Sequence, residues 1–261
     1  MGPGGGALAS DLKLVRGIGP KTEARLKDLG YRDIPSLASH PRWSERAAFV
    51  LEAFDAGDIS GLRAMGAKDD QLLATVNPGD AVFLDIETTG LYFTLPLFLI
   101  GMLYRIGEGL IMVEQYLART PEEEGAILEA AMDRLSGFKT AITYNGRRFD
   151  IPYLRARAAM MGTGGRLNLH EIDLLMPVRR RYRGLLPDCR LSTAGTYLMG
   201  LRRDGDIPGW MVPEIYYRFI DTRCADTIRP VLEHNIMDLL TLELLSELLT
   251  QSSGGIDNGG P

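Results

Sequence analysis

The sequence predicts an α/β chain in which a mixed β-sheet is flanked by helices and preceded by a small all-α domain. Three observations carry this. Apolar runs of strand length, bounded by turn residues, crowd the stretch from Ala81 to Tyr144. Helical patterning dominates from Phe149 onward, and residues 9–70 hold only short segments of helical period. Strands followed by helices, in a β-β-β-α-β-α order, call for a mixed sheet with helices packed on it.

The elements follow in chain order. Residues 1–8 are Gly-rich, as are residues 251–261, and both are expected to be disordered tails. Residues 9–70 form the expected helical domain, with apolar points at Leu12, Leu14 and Val15, at Ala24, Leu26 and Leu29, and from Ala47 to Phe54. The composition changes near residues 70–78, and residues 78–250 form the expected second domain. Its first segment, AVFLDIETTG, lies between Pro78-Gly79 and Gly90 and reads as a buried strand. Leu95–Tyr104 and Leu110–Tyr116 read as two more strands joined by a turn around Gly107. Pro121 opens a helix whose first turn carries three glutamates, which suit the N-terminal dipole, and which runs to about Leu135. Thr140–Tyr144 is a short strand. Helices are expected over 150–161, 171–182, 191–199, 213–220 and 226–249.

Composition bounds the function. The chain has 261 residues, 29 basic and 34 acidic, for a net charge of −5. Hydrophobic residues make up 45%, enough for a substantial core. The acidic total argues against a protein that coats nucleic acid by bulk charge. By segment the charge is zero over 1–70, −6 over 71–145, +8 over 146–203 and −7 over 204–261. A local phosphate track along the basic segment therefore stays compatible with the acidic total. Cys189 and Cys224 form no CxxC and have no histidine at zinc spacing, so reduced thiols are expected. The start lacks the basic and apolar regions of a signal peptide, and no apolar run approaches the ~18–20 residues of a membrane span. A cytoplasmic protein with no membrane contact is expected.

Within VRGIGPKTEARLKDLG, Gly17 and Gly19 bracket an apolar residue and Pro20 can open a helix. Such a turn points backbone N–H groups outward at a helix start, which suits an anion, and Lys21 adds a charge. The segment resembles a helix-hairpin-helix motif, with Ala24 and Leu26 as apolar contacts of its second helix. The resemblance implies that Gly17, Gly19 and Lys21 grip a nucleic-acid backbone without reading sequence. A hairpin kept for packing or for a protein partner has the same appearance.

Three further motifs carry acidic residues. Asp85 and Glu87 stand at i and i+2 of the first strand, so both face one side. Two carboxylates at the end of an apolar strand are costly unless a cation compensates, and hard Mg²⁺ or Mn²⁺ prefers carboxylate oxygen. By itself a D-x-E is a weak signal. In TYNGRRFDIPYL, Asn145 and Asp150 are polar points in an apolar frame, and Phe149, Ile151 and Leu154 anchor a helix start that directs Asp150 at the sheet. In LEHNIMDLLTLELL, His234 and Asp238 are four apart and share one helix face.

Taken together, D-x-E, N-x4-D and H-x3-D in this order resemble the DEDD superfamily of 3′→5′ exonucleases, which have an RNase H-like fold. DIETTG and YNGRRFDIPYL are similar to the proofreading domains of family B DNA polymerases, and LSTAGTYLMGLRRDGDIPGW to HNIMD is closer to the YprB-type group. The resemblance spans about residues 78–250. It implies two metal ions, Mg²⁺ or Mn²⁺, with Asp85 bridging both, Glu87 holding metal and water, Asp238 ligating the first and Asp150 serving the second from outside. His234 takes the place of the general base, and an imidazole, with an ordinary pKa of about 6.5, suits that task at neutral pH. One departure stands out: histidine members of the superfamily usually show H-x4-D, whereas this chain has histidine at the Y-x3-D spacing, so the direction of its ring is open. Asn145 is a candidate substrate contact or a loop cap, and Arg147 and Arg148 are candidate phosphate contacts. Arg179–Arg181 and Arg183 suit a solvated face or phosphate equally. Tyr216, Tyr217, Phe219 and Trp210 are expected to pack, and Asp204 and Asp206 to make turn hydrogen bonds.

The reading that follows is a metal-dependent 3′→5′ exonuclease acting on DNA, at single-stranded or frayed 3′ ends, with the hairpin as a delivery element. A 3′→5′ exoribonuclease, an RNase H-like endonuclease and a non-catalytic nucleic-acid-binding module of the same fold are the competing readings.

Overall fold

Leu97–Arg105 is apolar almost throughout, and it becomes a strand, β2, buried along its whole length but for its last residue. The structure is a computed structural model and describes residues 8–107, 109–163 and 167–251. β1 (Ala81–Thr88), β2, β3 (Ile111–Leu117), β4 (Thr140–Thr143) and β5 (His170–Asp173) form one sheet in the order β3-β2-β1-β4-β5. β1 is antiparallel to β2 and β2 to β3, whereas β4 runs parallel to both β1 and β5. The sheet is mixed, as expected. β5 is an addition: His170–Asp173 was expected to begin a helix at residue 171, but those residues pair with β4 and the helix starts only at Leu175. A four-residue edge strand running straight into a helix leaves too little alternation to be read from sequence.

The helices of this part are α5 (Glu124–Leu135), α6 (Asp150–Met161), α7 (Leu175–Tyr182), α8 (Leu191–Met199), α9 (Val212–Thr222) and α10 (Ala225–Gln251). One core joins them to the sheet, including Leu84, Phe98, Ile100, Leu128, Leu154, Tyr216 and Val231. Phe98 and Tyr216 stack with ring centroids 3.8 Å apart. Of the aromatics expected to pack, Tyr216 and Phe219 are buried, but Tyr217 is half exposed and Trp210 is 76% exposed. A deep ion pair links α6 to α5: Arg157 Nε donates to Glu124 Oε1 at 2.6 Å, and Glu124 also accepts the Leu97 N–H.

The helical part preceding β1 contains α1 (Pro20–Asp28), α2 (Ser44–Asp55), α3 (Ile59–Ala64) and α4 (Asp69–Leu73). Before α1 there is a 3-10 turn at Leu12–Leu14 rather than a full helix. Gly17 has φ +95°, and a Cβ there would lie 3.1 Å from an Arg46 nitrogen and 3.3 Å from the Trp43 ring. The positive φ favours glycine at this turn, and a side chain there would also press on Arg46 and Trp43. Gly19 caps α1 in an extended conformation, Pro20 follows at the first position, and Lys21 is exposed. The expected apolar contact at Ala24 is not made: Ala24 is exposed, and Glu23 turns inward instead, accepting from the Leu12 N–H at 3.2 Å and from Lys13 Nζ at 2.8 Å. An ion pair with Lys13 and Lys27 compensates the carboxylate, so a helical-period reading based on apolarity alone selected the wrong neighbour.

The contacts divide the chain into two compact units, one running to Val76 and joined by the segment from Ser246 on, the other Asn77–Leu245. Leu8 is buried and Gln251 closes α10, whereas the rest of the expected tails lies outside the described residues. Among the described residues no helix is long and apolar enough to cross a membrane.

Candidate active site

Along β1 only Asp85 and Glu87 are half-buried; the other residues are buried. They share a face, as period two requires, and the β1–β2 register slips between Glu87 and Thr88. Such a bulge re-aims the side chains beside it. β4 pairs with β1 only as far as Phe83, which leaves the Ile86 N–H to the carboxylate of Asp150, the first residue of α6. Asp150 is buried. The loop before it is held by Asn145, a non-glycine residue at φ +64° whose N–H donates to Asp173 Oδ1 at 2.8 Å. Asparagine tolerates this left-handed conformation, and its carbonyl takes the N–H groups of Arg148 and Phe149. The main chain of Asn145 thus closes the loop. Arg147 and Arg148 sit exposed in that loop, with Arg147 donating to the Glu171 carbonyl at 3.2 Å.

α10 brings His234 and Asp238 to the same place. The carboxylates lie near enough to feel one another's charge. Burial and the charges of Glu87, Asp238 and Asp150 raise the Asp85 carboxyl well above the usual range, against a hydrogen bond from Asn235. Burial, Asp238, Asp150 and Asp206 do the same to Glu87. Burial pushes Asp150 up to about 7, with Asp173 and Asp238 adding to it and backbone N–H groups opposing. Asp85, Glu87, Asp150 and Asp238 therefore converge from a strand and two helices distant in sequence.

Two residues that the sequence did not assign to the site belong to its surroundings. Asp206 makes the expected turn bond, from Ile207 N–H at 2.9 Å, but it also meets His234: Nδ1 lies 2.7 Å from Asp206 Oδ1. His234 and Asp206 side chains are 13% and 17% exposed. The Asp206 carboxylate can accept a hydrogen bond from the Nδ1 side of the ring. Nε2 faces Asp238 Oδ2 at 3.6 Å. Arg203 is the second: it binds Asp206 Oδ2 at 3.1 Å, Thr241 Oγ1 at 3.0 Å and Asp238. Burial alone would raise the Asp206 carboxyl, yet His234 and Arg203 hold it below its ordinary value. Neither contact is legible locally, because each spans about thirty residues of chain.

The basic segment is partly spent inside the protein. Arg157 pairs with Glu124 and Arg203 with Asp238, so its +8 is not all available to a phosphate track. Among the described residues no three His, Cys, Asp or Glu side chains are already gathered at ligating positions around one point. The donor chemistry nevertheless fits a hard divalent cation: four carboxylates near one another, three of them raised by burial and by neighbouring carboxylate charge, are all-oxygen ligands in need of positive charge.

The comparisons with known proteins agree with this fold. The chain is 32% identical over 172 residues to a Bacillus subtilis (strain 168) protein described as "Uncharacterized protein YprB", a match covering 64% of this chain and 41% of that protein. The chain thus spans less than half of that relative. A family B DNA polymerase from the hyperthermophilic archaeon Pyrobaculum calidifontis is similar in fold, with a TM-score of 0.50 and 16% identity, over 67% of this chain and 27% of the polymerase chain. The family profile RNase_H_2, described as RNase_H superfamily, matches residues 82–250. From β1 through α10, then, sheet order, converging carboxylates and profile agree, and the chain belongs to the RNase H superfamily.

Proposed function

We propose that the chain is a metal-dependent 3′→5′ exonuclease that hydrolyses phosphodiester bonds at DNA 3′ ends. The observation that carries this reading is the proximity of Asp85, Glu87, Asp150 and Asp238 beside a histidine whose Nδ1 meets the Asp206 carboxylate. Asp85, Glu87 and Asp238 would hold two divalent cations, Mg²⁺ or Mn²⁺, with Asp150 supporting the second. Bound there, the cations supply Lewis acidity that eases deprotonation of water and offsets charge on the phosphate. His234 Nε2 accepts the proton of the attacking water, while Asp206 keeps the ring turned and the proton on Nδ1. Asn145, Arg147 and Arg148 lie on the loop leading to Asp150 and are candidate phosphate contacts. Exposed Tyr92 and Trp210 offer aromatic faces on which bases can stack. Gly17, Gly19 and Lys21 are proposed as the backbone grip of the hairpin, with a protein partner as the alternative occupant.

The test is incubation of the full chain with Mg²⁺ or Mn²⁺ and 5′-labelled single-stranded DNA, duplex DNA and RNA. Stepwise shortening from the 3′ end of DNA supports the reading. Shortening of RNA alone moves it to an exoribonuclease, internal cuts move it to an endonuclease, and no cleavage with any metal removes catalysis from the account.

A further inference from the structure

Gly101 of β2 lies between Asp85 of β1 and Gln115 of β3 in the sheet register. It is the one residue of LFLIGMLYR without a side chain, and there is no room for one. A Cβ on Gly101 would stand 2.0 Å from Asn235 Oδ1 and 2.8 Å from its Nδ2. A glycine inside a strand lets another group approach the backbone closely. Here that group is the amide of Asn235, fully buried, which α10 lays across the sheet one residue after His234.

The hydrogen bonds around this amide have one possible direction. Gln115 Nε2 donates to the Leu232 backbone carbonyl at 2.9 Å, and a carbonyl only accepts, so the NH₂ end of Gln115 is fixed. The same nitrogen donates to Asn235 Oδ1 at 2.9 Å. Asn235 must then present its own NH₂ to Asp85, and Nδ2 donates to Asp85 Oδ2 at 2.7 Å. An Asn or Gln amide alone can be turned either way. This pair is locked by a backbone oxygen at one end and a carboxylate at the other.

We infer that Gln115 and Asn235 are positioning residues that fix the Asp85 carboxylate in the orientation used to hold divalent cations, a role that rests on the metal reading above. Asn235 ties one carboxylate oxygen and stops the group from rotating. Gln115 keeps Asn235 from turning its oxygen toward Asp85. Gly101 is the gap that admits the relay. Hydrogen-bonding partners behind metal ligands are typically worth ~10–100-fold in affinity or activity.

The experiment is a Mn²⁺ titration by calorimetry on the full chain, with kcat and KM on a single-stranded oligonucleotide and a thermal melt for each variant. Gln115→Glu keeps the shape of the side chain but puts acceptors at both ends, so Asn235 must turn and set its oxygen against Asp85. Gln115→Met keeps the length without donors and serves if the first variant folds poorly. Both are expected to weaken Mn²⁺ binding by ~10-fold or more and to lower kcat, with KM for the oligonucleotide unchanged. A merely structural role would lower the melting temperature and leave Mn²⁺ affinity intact, and Mn²⁺ affinity within about twofold of wild type in folded variants overturns the inference. The control is Asp85→Asn. If wild type binds no Mn²⁺, or Asp85→Asn binds it as tightly, the metal reading itself fails and the relay's role falls with it.

Discussion

Replacing Asp206 by Asn is expected to slow hydrolysis without loosening substrate binding. The Asp206 carboxylate lies 2.7 Å from His234 Nδ1, and both side chains are mostly shielded from water. A hydrogen bond to a charged group in that setting is worth ~1.5–3 kcal/mol. At ~1.4 kcal/mol per factor of ten, the loss amounts to about 10- to 100-fold in kcat if the bond holds the ring for reaction. The amide also offers an NH₂ to Nδ1. In that arrangement the ring proton moves to Nε2, and the acceptor is gone. Arg203 still reaches Asp238 and Thr241, so the substitution leaves that contact in place. Asp206 also raises the Glu87 carboxyl, so its neutralisation makes Glu87 easier to ionise and cannot explain a loss of rate. The assay is steady-state hydrolysis of a 5′-labelled oligonucleotide with Mg²⁺ at about pH 8, with a melt to confirm the fold. A kcat within about twofold of wild type, or a loss found entirely in KM, refutes the positioning role of Asp206.

Other expectations are open to direct measurement. The carboxyls of Asp85, Glu87 and Asp150 are raised in the folded chain, Asp150 to about 7. The folded state therefore keeps protons that the unfolded chain has released, so stability is full below the unfolded carboxylate values and falls as pH rises from about 4 through about 7. Without metal, the chain should be less stable near pH 8 than near pH 5 by on the order of a few kcal/mol, and Mn²⁺ should restore much of it. Thermal melts with EDTA and with Mn²⁺ check this, and a flat profile in EDTA contradicts the crowding of these carboxylates. Arg157→Met leaves Glu124, 1% exposed at its side chain, without its cation, and should cost ~3–5 kcal/mol in urea unfolding. Glu124→Met added to it should recover part of that, less the penalty of an unpaired Leu97 N–H. Lys21→Glu should weaken DNA binding and reduce its salt slope by about one to two, read by anisotropy at several salt concentrations. An unchanged slope assigns the hairpin to packing or a protein contact.

Much of this site is legible because its geometry is local. Asp85 and Glu87 follow from strand period two, His234 and Asp238 from one helical turn, and Asp150 from the apolar frame that starts α6 at that residue. What escapes is set by contacts across the chain. Asp206 and Arg203 look like parts of a Gly-containing turn until α10 brings His234 and Asp238 beside them. Asn235 reads as one more polar position on a helix, although Gly101 in the middle of an apolar strand was a signal that something approaches it. β5 is too short to show alternation. Glu23 is buried because two lysines pair with it, whereas an apolar template favours Ala24. The charge count of residues 146–203 gave no warning that Arg157 and Arg203 face inward.

The carboxylates of β1, α6 and α10 are proposed to form one divalent-cation site that cuts nucleic acid from its 3′ end. The most direct measurement is a time course on 5′-labelled single-stranded DNA with Mn²⁺, comparing wild type with Asp85→Asn. Wild type is expected to give a one-nucleotide ladder descending from the 3′ end, and a folded Asp85→Asn to leave the substrate intact. Equal ladders from both proteins would contradict it.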